Sequence, residues 1–366
     1  MKNNTSIDMA HPLSRRQFIL GTSAVLSLGA LGILGACSDK GSQASTGDSD
    51  SGNNSASGTE KVTVVWLPDH SQAELSQARE AFSAAITAAC GLKAEIMTSI
   101  DYNVTIEAVA SGAANMAFLG AEGYVQANKK NNKVQAAFVQ SDENGSLDLA
   151  CYYSRICVLT ENADQYKKGS SYSIDNIKDK SFSFVSATST SGFKVPSRGI
   201  MENFGMDSSD DLLESGKFFS EVLFGGSHAG SAFNLMSGDV EVAAFNDIDT
   251  DPYFFELVSG EDNAVGSVYK VRANADTPFD AVAGKQFTII GVAPVLNAPF
   301  VFNEDNISEE ARKKIVAHFC SEAVANDPLI FFDPEDENAR GLVKKTSEEM
   351  CFVEVTDSWY DPLRKI

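Results

Sequence analysis

Two α/β lobes, each a mainly parallel sheet flanked by helices, are the fold that this 366-residue chain predicts. Three observations predict it. Strand-like and helix-like runs alternate from residue 61 to about residue 130, the pattern of parallel strands joined by crossover helices. The alternation starts again after residue 154. Apolar segments beginning near 287 and 309 then carry the chain back, so that two lobes face each other as a clamshell with a cleft between them.

Each element has a local reason. Lys61–Leu67 reads as a strand ended by Pro68. A helix follows from Ser71 to Cys90, with Ala78, Phe82 and Ile86 among its apolar positions and Gly91 as its stop. Leu92–Thr98 is the next strand. Asp101-Tyr102 opens a helix that runs to Ala110 and closes at Gly112. Asn115–Gly120 is a short apolar strand, and another helix starts near Gly123. Further on, Ile156–Leu159, Phe182–Val185, Lys217–Phe224 and Val240–Phe245 are strands, with helices near Ser197–Phe204 and Gly230–Met236. Phe287–Val292 leads back to a C-terminal helix over Glu309–Asn326, which sets Ile315, Val316 and Phe319 on one side. Residues 61–153 with 286–366 are assigned to the first lobe and 154–285 to the second. About 305 residues suffice for two such cores.

Residues 1–36 belong to targeting rather than to the fold. Ser14-Arg15-Arg16-Gln17-Phe18-Ile19 resembles a twin-arginine export signal. The uncharged stretch Phe18–Ala36 ends in Leu34-Gly35-Ala36-Cys37, which is similar to a lipoprotein processing site. Cys37 is therefore expected to carry an acyl anchor, with residues 37–60, rich in Ser, Gly, Asp and Asn, as a disordered tether. A lipid-anchored protein on the extracytoplasmic face of a cell membrane is the expected arrangement.

The charge narrows the partners. The chain carries −21. Removing residues 1–36, which hold Lys2, Arg15 and Arg16 against Asp8, leaves −23. Nucleic acid is excluded as a partner, because phosphate neutralisation needs a basic surface. An anionic ligand would have to be held by local dipoles and hydroxyls rather than by long-range attraction. Cys90, Cys151, Cys157, Cys320 and Cys351 show no zinc or iron–sulfur spacing, and His11, His70, His228 and His318 are scattered. No cofactor and no metal are expected.

One segment suits an anion. Ser189-Thr190-Ser191-Gly192, with Pro196 beyond it, follows the strand run Ser181–Val185 at a turn into a helix, where backbone N–H groups lack partners and hydroxyls converge. An ordinary Ser/Thr helix cap is the alternative reading. Around it stand Asp101-Tyr102 at a helix start, Gly120-Ala121-Glu122-Gly123-Tyr124 after a strand, Tyr152-Tyr153-Ser154 before the crossover strand, and Gly226-Ser227-His228 before a helix.

In this order and spacing the chain resembles, over roughly residues 61–360, the solute-binding proteins of phosphonate, phosphite and phosphate ABC importers. The resemblance implies a type II periplasmic-binding-protein clamshell, monomeric and serving an ABC transporter permease. It assigns Ser189, Thr190 and Ser191 to the oxygens of a small phosphorus oxyanion, gives His228 another oxygen, and gives Tyr102 and Tyr152 donor phenols. Tyr152 is favoured over Tyr153, its opposite-facing neighbour. Asp247 matches a carboxylate that would face an amino group. The place of a second such carboxylate, near Asn297-Ala298-Pro299, carries no acid, which leaves phosphate, phosphite or a simple alkyl phosphonate. Glu122 is an additional acid near the cleft.

Other readings are a binding protein of the same fold for a different small ligand, a sensor partner, or a surface serine hydrolase. Gly225-Gly226-Ser227-His228-Ala229 misses a nucleophile elbow by its last glycine, and only His318 stands downstream as a base. The chain is expected not to be an enzyme.

Overall fold

The computed structural model of the protein describes residues 61–68, 76–334, 336, 339 and 341–365. The targeting segment, Cys37, the tether and the expected helix start at Ser71 lie outside them. Among the described residues no helix is long and apolar enough to cross a membrane, and all five cysteines are free thiols.

Two main sheets organise these residues. The first opens with β1 (Lys61–Trp66), β2 (Lys93–Thr98), β3 (Met116–Phe118) and β4 (Val134–Gln140). The second contains β5 (Cys151–Leu159), β6 (Ser181–Phe184), β7 (Glu221–Phe224), β8 (Val242–Asn246), β9 (Phe255–Ser259), β10 (Val268–Val271) and β11 (Gln286–Leu296). The chain then returns to the first sheet with β12 (Phe300–Asn303) and β13 (Phe352–Glu354). Strand orders are β13-β4-β12-β3-β1-β2 and β9-β10-β11-β5-β8-β6-β7. The main helices are α1 (Ser76–Cys90), α2 (Tyr102–Ala110), α3 (Ala121–Lys130), α4 (Val195–Phe204), α5 (His228–Ser237) and α6 (Glu309–Phe319).

The expected parallel character holds for strand direction. Among the described residues four of six strands in the first sheet, and five of seven in the second, run the same way. Adjacency is mixed, because β12 inserts antiparallel between β3 and β4, and β5 inserts antiparallel between β8 and β11. Burial explains why helices cover both faces. Val62, Val64 and Trp66 of β1 enter one apolar cluster and Val65 enters another. In the second sheet Ile156 and Val158 of β5 point into one cluster and Cys157 into the other. Side chains of a strand alternate between faces, so strands buried on both sides read as continuous apolar runs.

Boundaries moved in a few places. Residues 286–296, expected with the first lobe, form β11 of the second sheet, and residues 151–153 join it there. The strand expected over Lys217–Phe224 begins only at Glu221. The C-terminal helix ends at Phe319 rather than Asn326, because the Ser321 hydroxyl donates back to the His318 carbonyl at 2.6 Å and a separate turn, Glu322–Ala325, follows. β5 and β11 pair antiparallel at nine positions, from Phe287 opposite Leu159 to Leu296 opposite Cys151. This two-stranded ribbon connects the two sheets.

Candidate functional site

The carboxyl ends of β1, β3 and β4 open onto a cleft of about 510 Å3, with the carboxyl end of β8 and the loop after it on the other side. Ligands of open α/β sheets bind at such strand ends.

Ser189, Thr190, Ser191, Gly192 and Tyr152 do not line this cleft; Ser191 reaches it through His228, which does. Ser189 has extended backbone, and its hydroxyl accepts the Gly192 N–H at 3.1 Å. Thr190–Lys194 is then wound as a π-helical turn, with the Lys194 N–H reaching the Ser189 carbonyl at 3.0 Å. Turns of this kind are rare and concentrate at functional sites. A glycine is needed at 192, because a Cβ there would lie 2.3 Å from the Val185 side chain. Thr190, Ser191 and Gly192 are all buried.

Three of the predicted residues meet here. Ser191 Oγ lies 3.2 Å from His228 Nε2, and the Tyr152 phenol lies beside the Ser191 hydroxyl. The Ser191 carbonyl accepts from the Ser154 hydroxyl of β5 at 2.7 Å. Thr190 faces the opposite lobe. Its Oγ1 accepts the Glu122 N–H at the start of α3 at 2.8 Å, and a Cβ on Gly120 would come within 2.9 Å of that oxygen. The first turns of two helices, the Thr190 turn and α5, therefore meet at the Ser191–His228 contact, and Thr190 bonds the start of α3.

The chemistry of His228 follows from its neighbours. Nδ1 accepts the Asn246 N–H at 3.0 Å, so in the neutral ring the proton sits on Nε2, the atom that faces Ser191. Burial pushes the imidazole pKa down to about 3. His228 is thus a neutral N–H donor at pH 7. Its place is fixed by Ser227, whose hydroxyl caps α5 by accepting the Gly230 N–H at 3.0 Å. Glycine is required at 225, since a Cβ there would lie 2.2 Å from the Ser231 nitrogen. The serine of the elbow-like segment is therefore a helix cap.

A pH prediction follows. A histidine held neutral by burial contributes stability that is complete above its ordinary pKa of 6.5 and is lost as pH falls through that value toward 3. Urea midpoints of wild type and His228→Gln should differ most in favour of wild type at pH 7.5, and the gap should narrow by pH 5. A gap that stays constant with pH would contradict a buried neutral ring.

The remaining predicted residues line the rim. Tyr102 is the first residue of α2, is buried, and borders the cleft. Asp247 borders it too, accepting the Tyr153 N–H at 2.9 Å and the Asn263 Nδ2 at 2.9 Å. Its burial raises the carboxyl pKa to about 6, against the pull of nearby Arg155. Tyr153 borders the cleft on the face opposite to Tyr152. Glu122 sits in the first turn of α3, bonded to Gln126 at 3.0 Å and 4.0 Å from Lys194.

Sequence reasoning missed Arg155. This fully buried residue forks onto Asp251 at 2.7 and 2.6 Å, binds Asn263 at 2.6 Å, and lies over the Tyr269 ring at 4.6 Å. It anchors the loop wall that carries Asp247. The signal was a lone charge inside the apolar run Tyr152–Leu159. Trp66, which borders the cleft at the end of β1, was read only as part of a strand.

The profile of the family described as "ABC transporter, phosphonate, periplasmic substrate-binding protein" matches residues 64–360. The phosphate-import protein PhnD of Mycolicibacterium smegmatis is 23% identical over 313 residues, which cover 84% of this chain and 85% of that protein. Among solved structures, the binding protein component of an ABC phosphonate transporter from Pseudomonas aeruginosa superposes with a TM-score of 0.58 at 16% identity, covering 84% of this chain and 85% of that one. The PhnD1 protein of Prochlorococcus marinus, in complex with methylphosphonate, gives 0.57 at 15% identity, over 84% and 97%. With two α/β lobes, a cleft between them and a family match over nearly all the described residues, this chain belongs to the periplasmic substrate-binding proteins of phosphonate ABC transporters.

Proposed function

We propose that this protein captures a phosphorus oxyanion in the cleft and delivers it to an ABC importer, as a monomer tethered through lipidated Cys37 to the extracytoplasmic face of the membrane. The site residues are Ser189, Thr190, Ser191, His228, Tyr102 and Tyr152, with Asp247 on the rim. The observation that carries this reading is the contact of Ser191 with neutral His228, each in the first turn of its helix, with the Tyr152 phenol beside it. Every group in that cluster can donate to an oxyanion without carrying formal charge. Hydrogen bonds of this kind to a charged acceptor contribute about 1.5–3 kcal/mol each.

A thermal-shift panel tests it. Phosphate, phosphite, methylphosphonate, 2-aminoethylphosphonate and sulfate are added to the full chain at saturating concentration. A ligand at 1,000 times its dissociation constant stabilises the folded state by about 4 kcal/mol and raises the melting temperature accordingly. At least one phosphorus oxyanion should do so and sulfate should not. A panel without any shift would sink the substrate class.

A further inference from the structure

The helix α3 begins without a cap of its own. Its first turn follows Gly120, which has no side chain to accept the unpaired N–H groups there. The Glu122 N–H is instead taken by Thr190 Oγ1 at 2.8 Å, from a turn that belongs to the other lobe. One lobe therefore caps a helix of the other.

Three features make this contact specific. Gly120 leaves room for it, because a Cβ there would stand 2.9 Å from Thr190 Oγ1. Lys194, at the end of the same turn, faces the Glu122 carboxylate at 4.0 Å, and the Glu122 side chain is only 12% exposed. Val185, whose N–H bonds the Gly192 carbonyl at 3.2 Å, is fully buried in an apolar cluster of the first lobe rather than in those of its own sheet. A hydrogen bond, an ion pair and an apolar grip thus cross between the lobes at one place, all made by protein atoms alone.

Thr190 can hold α3 and still serve an anion. A hydroxyl has two acceptor lone pairs and one hydrogen. The Glu122 N–H occupies a lone pair, so the hydrogen is left to donate.

We propose that Gly120, Glu122, Thr190 and Lys194 form an interlobe latch, which holds the clamshell shut through its own contacts and sets how often it opens to cargo. The latch does not rest on the oxyanion reading and stands whatever the cleft carries. A ligand that bridges two lobes binds with an apparent affinity scaled by the fraction of molecules able to close. A latch that raises this fraction tightens binding without touching the ligand, and slows entry because the ligand must wait for opening.

Hydrogen exchange on the full chain, with no ligand added, reads the Glu122 amide directly. That amide should exchange at least about tenfold more slowly in wild type than in Thr190→Val, which keeps the side-chain shape and lacks the acceptor. Thr190→Ser should keep the protection. Gly120→Ala should lose it, because the new Cβ pushes Thr190 away although neither partner of the bond is changed. Amides of β5 and β8 should exchange alike in all four proteins, which separates loss of the latch from loss of the fold. Small-angle scattering should give Thr190→Val and Gly120→Ala a larger radius of gyration than wild type. A Glu122 amide as open in wild type as in Thr190→Val, or one radius of gyration for all three proteins, would overturn the latch. Neither readout uses a phosphorus compound, so failure of the latch and failure of the oxyanion reading are told apart.

Discussion

Arg155→Met is expected to lower the unfolding free energy by about 3–5 kcal/mol, the cost of leaving a buried partner charge uncompensated. The guanidinium is fully buried and forms both of its forked bonds to Asp251, whose side chain is itself only 16% exposed. Removing it also strips Asn263 of a partner and Tyr269 of the cation above its ring. Asn263 in turn holds Asp247, so the damage should reach the cleft wall. The double variant Arg155→Met with Asp251→Leu should recover most of the loss, because apolar replacement of both partners of a buried pair is often neutral. Urea unfolding of both variants gives the comparison. A double variant as unstable as the single one would mean that packing around Arg155, rather than charge pairing, carries the energy.

Thr190→Ala should weaken binding of whichever oxyanion the panel identifies by about 1.5–3 kcal/mol, roughly ten- to a hundredfold. Adding Ser191→Ala should weaken it further and, if both hydroxyls bond the same ligand, the two effects should not be additive. The loss should change little with salt, since local hydrogen bonds rather than distant charges hold the ligand. Calorimetry at low and high ionic strength measures both effects. An oxyanion that binds equally well to wild type and to the double variant would remove Ser189–Gly192 from the site.

How far the sequence could be read depended on the range of the interaction. The strand β1 was legible because a run of Val residues ending in Trp66 is a local signal, and α2 and α5 were legible because Asp101 and Ser227 cap them. The Ser-Thr-Ser-Gly turn could be placed for the same reason. β12 and β13 were missed: each is only three or four residues long, and they exist by pairing across a long separation with β3 and β4. The tautomer of His228 depends on an N–H eighteen positions away, and the role of Arg155 on a carboxylate ninety-six positions away, so neither follows from a local pattern. The resemblance named the polar residues of the cluster, while Trp66, Phe118 and Phe300 read as core residues in sequence and belong to the first sheet's apolar cluster, where they also edge the cleft.

The paired ribbon of β5 and β11 bears on how such a carrier lets go of its cargo. The ribbon is hydrogen-bonded into the second sheet on both strands, and Ser154 and Tyr153 fasten it to Ser191 and Asp247. The strand ladder of the ribbon ends before the spans between Gln140 and Cys151 and between Leu296 and Phe300, which Asn297 ties together through Ala150 and Gln140. If the lobes swing about those two short spans, Tyr152, Ser191 and His228 travel together as an intact half-cradle, and Tyr102 and the α3 terminus draw away from them. Release then becomes a sequence with a fixed first step: the first lobe lets go while the second still holds. A permease that pries the lobes apart would receive the ligand presented on one face, already stripped of half its contacts.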